Sequence, residues 1–191
     1  MSPPSHPPPS LLGSIAEICI VSPNLYSTID GFTKLGVGPF QIFDFNPTTV
    51  VNQKLHAEKG ADLFRLKVAF AKQNSVVVEI MQPTGGRSLM QSFLDENGGR
   101  QGVQHVAWDM GGQLSMGERQ EVMAERGFQV AMQGIWKGRK GQCHFCFFDT
   151  LEKSVGTVFE TIEFSKDWED PECEWYPHEP QEGSGVQTVE A

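Results

Sequence analysis

The chain has 191 residues, 39% hydrophobic and 20% charged, which fits one globular domain or two small ones and excludes fibrous, collagenous and wholly disordered classes. Its formal net charge of −9 opposes phosphate backbones and anionic lipid heads, so neither nucleic acid nor a membrane is an expected partner. No run nears the roughly 18 apolar residues of a membrane span, the opening MSPPSHPPPS lacks signal-peptide regions, and four cysteines are too sparse for a disulfide scaffold, so a cytoplasmic setting is expected.

Residues 1–10 hold five prolines and read as a disordered, solvated tail. Ile15 to Ser22 (IAEICIVS) reads as a strand, and Asn24 can cap the helical segment LYSTIDGFTKL, which stops at Gly36. Three strands are expected next, at Phe40 to Phe45, Leu63 to Ala71 and Val76 to Met81, the last ended by Pro83, Gly85 and Gly86. After a linker helix, SLMQSFLDENGG, the order starts again: a strand from Val103 to Asp109, a helix from Leu114 to Arg126 stopped by Gly127, and strands at Phe128 to Ile135, Cys143 to Phe148 and Gly156 to Phe164. Residues 169–191, rich in acids, prolines and glycines, read as a flexible tail.

The same unit, strand, helix and three strands, thus occurs twice. The expected fold is α+β: two tandem βαβββ modules, residues 11–97 with the linker helix and residues 98–168, forming a half-open, eight-stranded curved sheet around a central pocket.

Four polar residues interrupt strands that otherwise look buried on both faces: Glu17 in IAEICIV, Glu79 in VVVEIM, His105 in VQHVAW and Glu160 in TVFETI. A buried carboxylate costs several kcal/mol unless it is paired or bound to a metal. Glu17 and His105 occupy matching places in the first strand of each half, and Glu79 and Glu160 in the fourth. Pseudo-symmetry would bring all four to one point, where three carboxylates and an imidazole suit one divalent ion, Zn, Co, Ni, Mn or Fe(II).

The order of elements resembles the vicinal oxygen chelate superfamily, which includes glyoxalase I, methylmalonyl-CoA epimerase, extradiol dioxygenases and bleomycin-resistance proteins. So do the runs LGVGPF, VVVEIMQPTGG, GVQHVAW, FFDT and VFETIE, and the likeness extends over Ile15 to Phe164. The resemblance implies a metal held by one residue from each of the four strands, with Glu79, His105 and Glu160 matching the family's pattern. Glu17 departs from it, since His or Gln is usual at that place.

Such a site implies a metal-dependent isomerase, epimerase or lyase moving a proton next to a carbonyl of a small substrate, with Glu160 and Glu17 as catalytic groups. The breadth of the family makes specialised metabolism one setting for it. No nucleotide site is expected, because no GxGxxG precedes a helix. A metal-free enzyme or a non-catalytic binding protein of the same fold is the alternative. An extradiol dioxygenase fits less well, because its triad needs two histidines and one carboxylate. Met81, Trp136, His144 and Cys146 are candidate pocket residues, the last two sharing one strand face, while Cys143 and Cys146 point to opposite faces and cannot chelate one ion. The expected partner is a small molecule, of neutral or acidic character, and homodimerisation is a further option.

Overall fold

A computed structural model describes residues 10–110 and 114–178. The expected N-terminal tail, apart from Ser10, and residues 179–191 of the expected C-terminal tail lie outside the described residues. In chain order the elements are β1 (Ile15–Val21), α1 (Leu25–Lys34), β2 (Phe40–Phe45), β3 (Val50–Leu55), β4 (Glu58–Gly60), β5 (Phe64–Gln73), β6 (Val76–Gly86), α2 (Leu89–Glu96), β7 (Gly102–Trp108), α3 (Met116–Glu125), β8 (Val130–Lys137), β9 (Gln142–Phe148), β10 (Val158–Phe164) and β11 (Glu174–Tyr176). Each helix starts on a side chain that accepts an otherwise unpaired backbone N–H: Asn24, Ser88 and Ser115, the last in a reciprocal capping box with Glu118.

Among the described residues all eleven strands join one mixed sheet in the order β11-β2-β5-β6-β1-β7-β10-β9-β8-β3-β4. At its centre β1 runs antiparallel to β7, while β1 pairs in parallel with β6 and β7 in parallel with β10. The sheet is curled into a half-barrel. Phe43 and Phe45 on β2 lie 4.9 and 5.0 Å from Trp136 on β8, and Phe45 stacks 5.7 Å from Phe145 on β9, contacts that strands so distant in the order make only across a concave interior.

Alternation along the strands sorts the core into two sides. On β9, Cys143, Phe145 and Phe147 join the interior with Phe45, Phe64 and Met81, whereas Cys146 and Phe148 pack outward with Met116 and Met123 of α3. Leu25 and Ile29 of α1 cover Ala69, Ala71 and Ile80 on the other half's outer face.

Eleven strands stand where eight are expected, and the reason is local. The β3–β4 hairpin has no apolar run to announce it, and it adds to the edge of β8. Its pairing slips between Val51 and Lys54, where Asn52 takes φ 53°, and Gln53 turns inward, 1% exposed. The Gln53 carboxamide accepts from Leu63 N and Phe64 N at 2.6 and 3.1 Å and donates to Phe64 O at 3.2 Å. It thereby ties β3 to the start of β5, on the opposite arm of the curl. β6 also passes through Pro83 to Gly86, since Pro83 lies at an irregularity in its pairing with β5.

From Glu169 onward, where the sequence reads a loose tail, the chain pairs as β11 with β2, and Tyr176 packs edge-on against Tyr26 at 5.2 Å. The intervening residues 165–173 cross from β10 to the far edge of the sheet, with Trp168 packed 5.0 Å from Trp136. No helix of the described residues is long and apolar enough to cross a membrane.

Phe45 spans the two arms, so Phe45→Ala opens an interior cavity and is expected to cost about 3–5 kcal/mol. Leu35→Ser, at a side chain 80% exposed, should leave stability nearly unchanged; chemical denaturation of both variants checks the pair.

Candidate active site

The central register brings the four polar residues together. Glu79 on β6 stands beside Cys19 on β1 just as Glu160 on β10 stands beside Ala107 on β7. Across the β1–β7 pair, Glu17 faces Ala107 and Cys19 faces His105. Glu17 and His105, and likewise Glu79 and Glu160, therefore occupy equivalent places about the middle of that pair. All four side chains are buried inside the curl, none more than 7% exposed.

Oxygen atoms of Glu17, Glu79 and Glu160 lie within 4.8 Å of one another. His105 Nε2 donates to Glu79 Oε2 at 2.9 Å and lies 3.1 Å from Glu160 Oε2. The second approach lacks hydrogen-bond alignment, so Glu160 Oε2, like Glu17 Oε2, is buried without a hydrogen-bond partner. Orphaned acceptors of this kind are rare in native interiors.

A bulge completes the arrangement. Between Cys19 and Ile20 the partner on β7 jumps from His105 to Val103, leaving Gln104 as an extra residue. The kink brings Gln104 to the same side as its neighbour, where its Oε1 accepts from His105 Nδ1 at 2.5 Å. That contact fixes the ring and directs Nε2 at the carboxylates. Nothing in the sequence marks Gln104; only the register shift reveals it.

Electrostatics follow from burial. Burial disfavours the His105 imidazolium, but the Glu160 and Glu79 carboxylates beside it outweigh that and raise its pKa to about 9. Burial raises Glu160 to about 7, against the opposing pull of His105. Burial, reinforced by Glu79 and Glu160, holds Glu17 well above the usual carboxylate range. Cys19, absent from the expected ligand set, places its sulfur within 4.8 Å of ligand atoms of Glu79 and His105; burial and the Glu79 charge raise its pKa.

The donor set fits a divalent ion. Two sets of donor atoms overlap at Glu79: the oxygens of Glu17, Glu79 and Glu160, and the group of Cys19, Glu79 and His105. Two of the oxygens make no aligned hydrogen bond, and the imidazole is held from behind. A cavity of about 30 Å³ adjoins them, lined by Glu17, Glu79 and Glu160 with Met81, Trp136 and Phe164 among its walls. Of the candidate pocket residues, Met81 and Trp136 line this cavity. His144 and Cys146 do not: they project to the outer face of β9, where Cys146 sits under α3 with Gln120 3.6 Å away, because the inward positions of that strand are Cys143, Phe145 and Phe147. A wider cleft of about 590 Å³ lies beside the β3–β4 hairpin and contains none of the four residues.

The model of the Glyoxalase/Bleomycin resistance protein/Dioxygenase superfamily matches residues 17–147, a stretch that includes Glu17, Glu79 and His105 but ends before Glu160. No curated protein sequence matches. Among solved structures, the chain is similar to methylmalonyl-CoA epimerase from Mycobacterium tuberculosis at 16% identity and TM-score 0.55, over 84% of this chain and 94% of that one. It is also similar to hypothetical protein BH1468 from Bacillus halodurans C-125 at 16% identity and TM-score 0.53, over 82% and 98%. A third likeness is a mutant of 4-hydroxymandelate synthase from Streptomyces coelicolor, at 12% identity and TM-score 0.53, over 81% of this chain and 49% of that one. At such identities the shared property is the fold.

The raised pKa values of Glu17, Glu160 and His105 all mean that the folded, metal-free chain holds more protons than the unfolded one. Their contribution to stability is complete below the unfolded pKa of each group and is lost as pH rises through the folded values, about 7 for Glu160 and about 9 for His105. In chelator the melting temperature is therefore expected to fall from about pH 5 to about pH 9, and Glu17→Gln should flatten the fall. Thermal melts across that range check both; a flat wild-type profile would contradict these charge states.

Proposed function

Because the chain belongs to the glyoxalase/bleomycin resistance protein/dioxygenase superfamily, that of the vicinal oxygen chelate fold, we propose that it is a divalent-metal-dependent isomerase, epimerase or lyase that moves a proton next to a carbonyl. The observation that carries this reading is the buried convergence of Glu17, Glu79 and Glu160 on one another, with His105 against the last two and two carboxylate oxygens left without an aligned hydrogen bond. Two further features of the fold accord with it: the strand order on either side of β1 and β7 supports a duplicated βαβββ architecture, and several structural neighbours are epimerases by name.

Glu79, His105 and Glu160 would hold the ion, with Glu17 as the fourth and most weakly charged ligand. A bound ion supplies Lewis-acid stabilisation of the negative charge that builds on the substrate oxygen as the adjacent C–H bond breaks. The chain's own residues do the proton work. Glu160, whose Oε2 makes no aligned hydrogen bond, is suited to take the proton there when that oxygen is off the ion. Glu17 comes from β1, and a proton carried on its buried, unpartnered Oε2 could be returned to the same carbon when that oxygen is off the ion. Gln104 keeps His105 oriented, and the surrounding Phe45, Phe145 and Trp136 exclude water.

One observation favours a second reading. His105 already pairs with Glu79 at 2.9 Å, which balances part of the buried charge without an ion and would suit a metal-free acid–base enzyme or a binding protein. A dioxygenase triad finds one of the two histidines it needs.

Elemental analysis of the purified chain distinguishes these. The metal-dependent reading expects about one transition-metal equivalent per chain, as one site of this donor set holds one ion, with loss of metal in His105→Ala. Glu160→Gln should retain the fold and abolish exchange of the substrate's proton with solvent deuterium; unchanged exchange would remove Glu160 from its role.

A further inference from the structure

Between the carboxylates and solvent, the interior narrows to a chamber roofed by rings. Trp136 is its hub, 4.9 Å from Phe43, 6.1 Å from Phe70 in a stacked arrangement and 5.0 Å from Trp168, which in turn lies 5.2 Å from Phe164. A cavity of about 20 Å³ is lined by Phe43, Phe70, Trp136 and Phe164 together with Glu17, Gln41 and Asp170. Among the described residues no lysine or arginine borders it or the adjoining cavity over Glu79 and Glu160. Glu17 contributes the buried, unpartnered Oε2, and the Asp170 carboxylate accepts from Trp168 Nε1 at 2.8 Å.

This lining has a definite electrostatic character. Aromatic rings and the Asp170 carboxylate form its walls, and the dry surroundings weaken screening, so an anionic group is disfavoured there and an organic cation favoured. The acidic charge of the whole chain, −9, biases encounter in the same direction.

The roof is residues 165–173, the crossing from β10 to β11. It is held down by Trp168 on Trp136 and by Glu169, which pairs through its backbone with Lys140 and through its carboxylate with Arg139 and Lys140. These ion pairs are exposed and therefore weak. Gly138 lies so close beneath that an added Cβ would collide with the carbonyl oxygens of Lys140 and Glu169. At about 20 Å³ the cavity holds a group no larger than a water molecule, so a larger ligand needs its walls to move, and the strap that carries Asp170 is the weakly held one.

We propose that the chamber recognises an organic cation, an ammonium-bearing small molecule whose charged head sits among Phe43, Phe70, Trp136 and Phe164 with the Asp170 carboxylate as counter-ion, admitted by movement of the strap. The inference rests on the proton-transfer reading of the adjoining site and adds its substrate class: a carbonyl compound carrying a cationic nitrogen. It replaces the neutral or acidic substrate suggested by sequence, because acidic character finds no basic partner among the residues lining the chamber.

The test titrates the full chain with three probes of one shape and different charge: choline, 3,3-dimethylbutan-1-ol and 3,3-dimethylbutanoate. Calorimetry is run on zinc-loaded and chelator-treated protein, with metal content measured on each sample. Choline is expected to bind about tenfold or more tighter than the alcohol, the scale of a desolvated cation–ring contact, and the anion not to bind. Asp170→Asn and Trp136→Leu should each weaken choline several-fold at unchanged metal content. Equal affinity for choline and the alcohol, or no binding of choline, overturns the inference; so does loss of choline binding on zinc loading, which would place the cation at the metal's position. Gly138→Ala should speed choline association followed by tryptophan fluorescence, and an unchanged rate removes the strap as the entrance. A chain without metal that still prefers choline would retire the metal reading alone.

Discussion

Three glutamates buried around one imidazole are the constraint to which the rest of this structure answers. Each carboxylate removed from water carries a desolvation cost of several kcal/mol unless a proton, a cation or a hydrogen bond compensates it. The fold offers His105 as one compensating charge, beside Glu79 and Glu160, and leaves Glu17 Oε2 and Glu160 Oε2 without an aligned hydrogen bond. An interior that only had to be stable would not keep them, since apolar residues of similar volume would fill the space at lower cost. The surrounding packing maintains the polar cluster at a cost in stability, and this is the physical basis for placing chemistry there.

The curl of the sheet makes that environment. Pairing β1 against β7 puts the two halves back to back, and the inward aromatic side chains of β2, β8 and β9 meet across the gap. The same contacts that stabilise the half-barrel keep the cluster dry, which strengthens every charge interaction within it. Gln53 closes one end of the curl through hydrogen bonds to Leu63 and Phe64, and the crossing to β11 covers the other. Stability and access therefore oppose each other: the rings that hold the arms together also fill the space a substrate needs.

Much of this is legible in the chain. Interior strands announce themselves by apolar runs, so β2 is expected at Phe40–Phe45 and found there, and Glu79, His105 and Glu160 stand out because a charge within such a run is costly. The β3–β4 hairpin is not legible, since VVNQKL and EKG at a sheet edge bury little and carry no clear alternation. The outward turn of His144 and Cys146 is undecidable from sequence as well. Alternation says that two residues share a face but not which face is concave, and the rings at Phe145 and Phe147 take the inside.

The repeated order of elements and the identity of the four buried polar residues are written in the chain itself, because hydrophobic periodicity and the cost of desolvation act locally along it. What surrounds those residues is a matter of tertiary structure. The bulge that turns Gln104 onto His105, the approach of Cys19, the aromatic roof and the placement of Asp170 over the cavity all depend on strand register and sheet curvature. Those are set by contacts between residues far apart in sequence, and no local pattern encodes them.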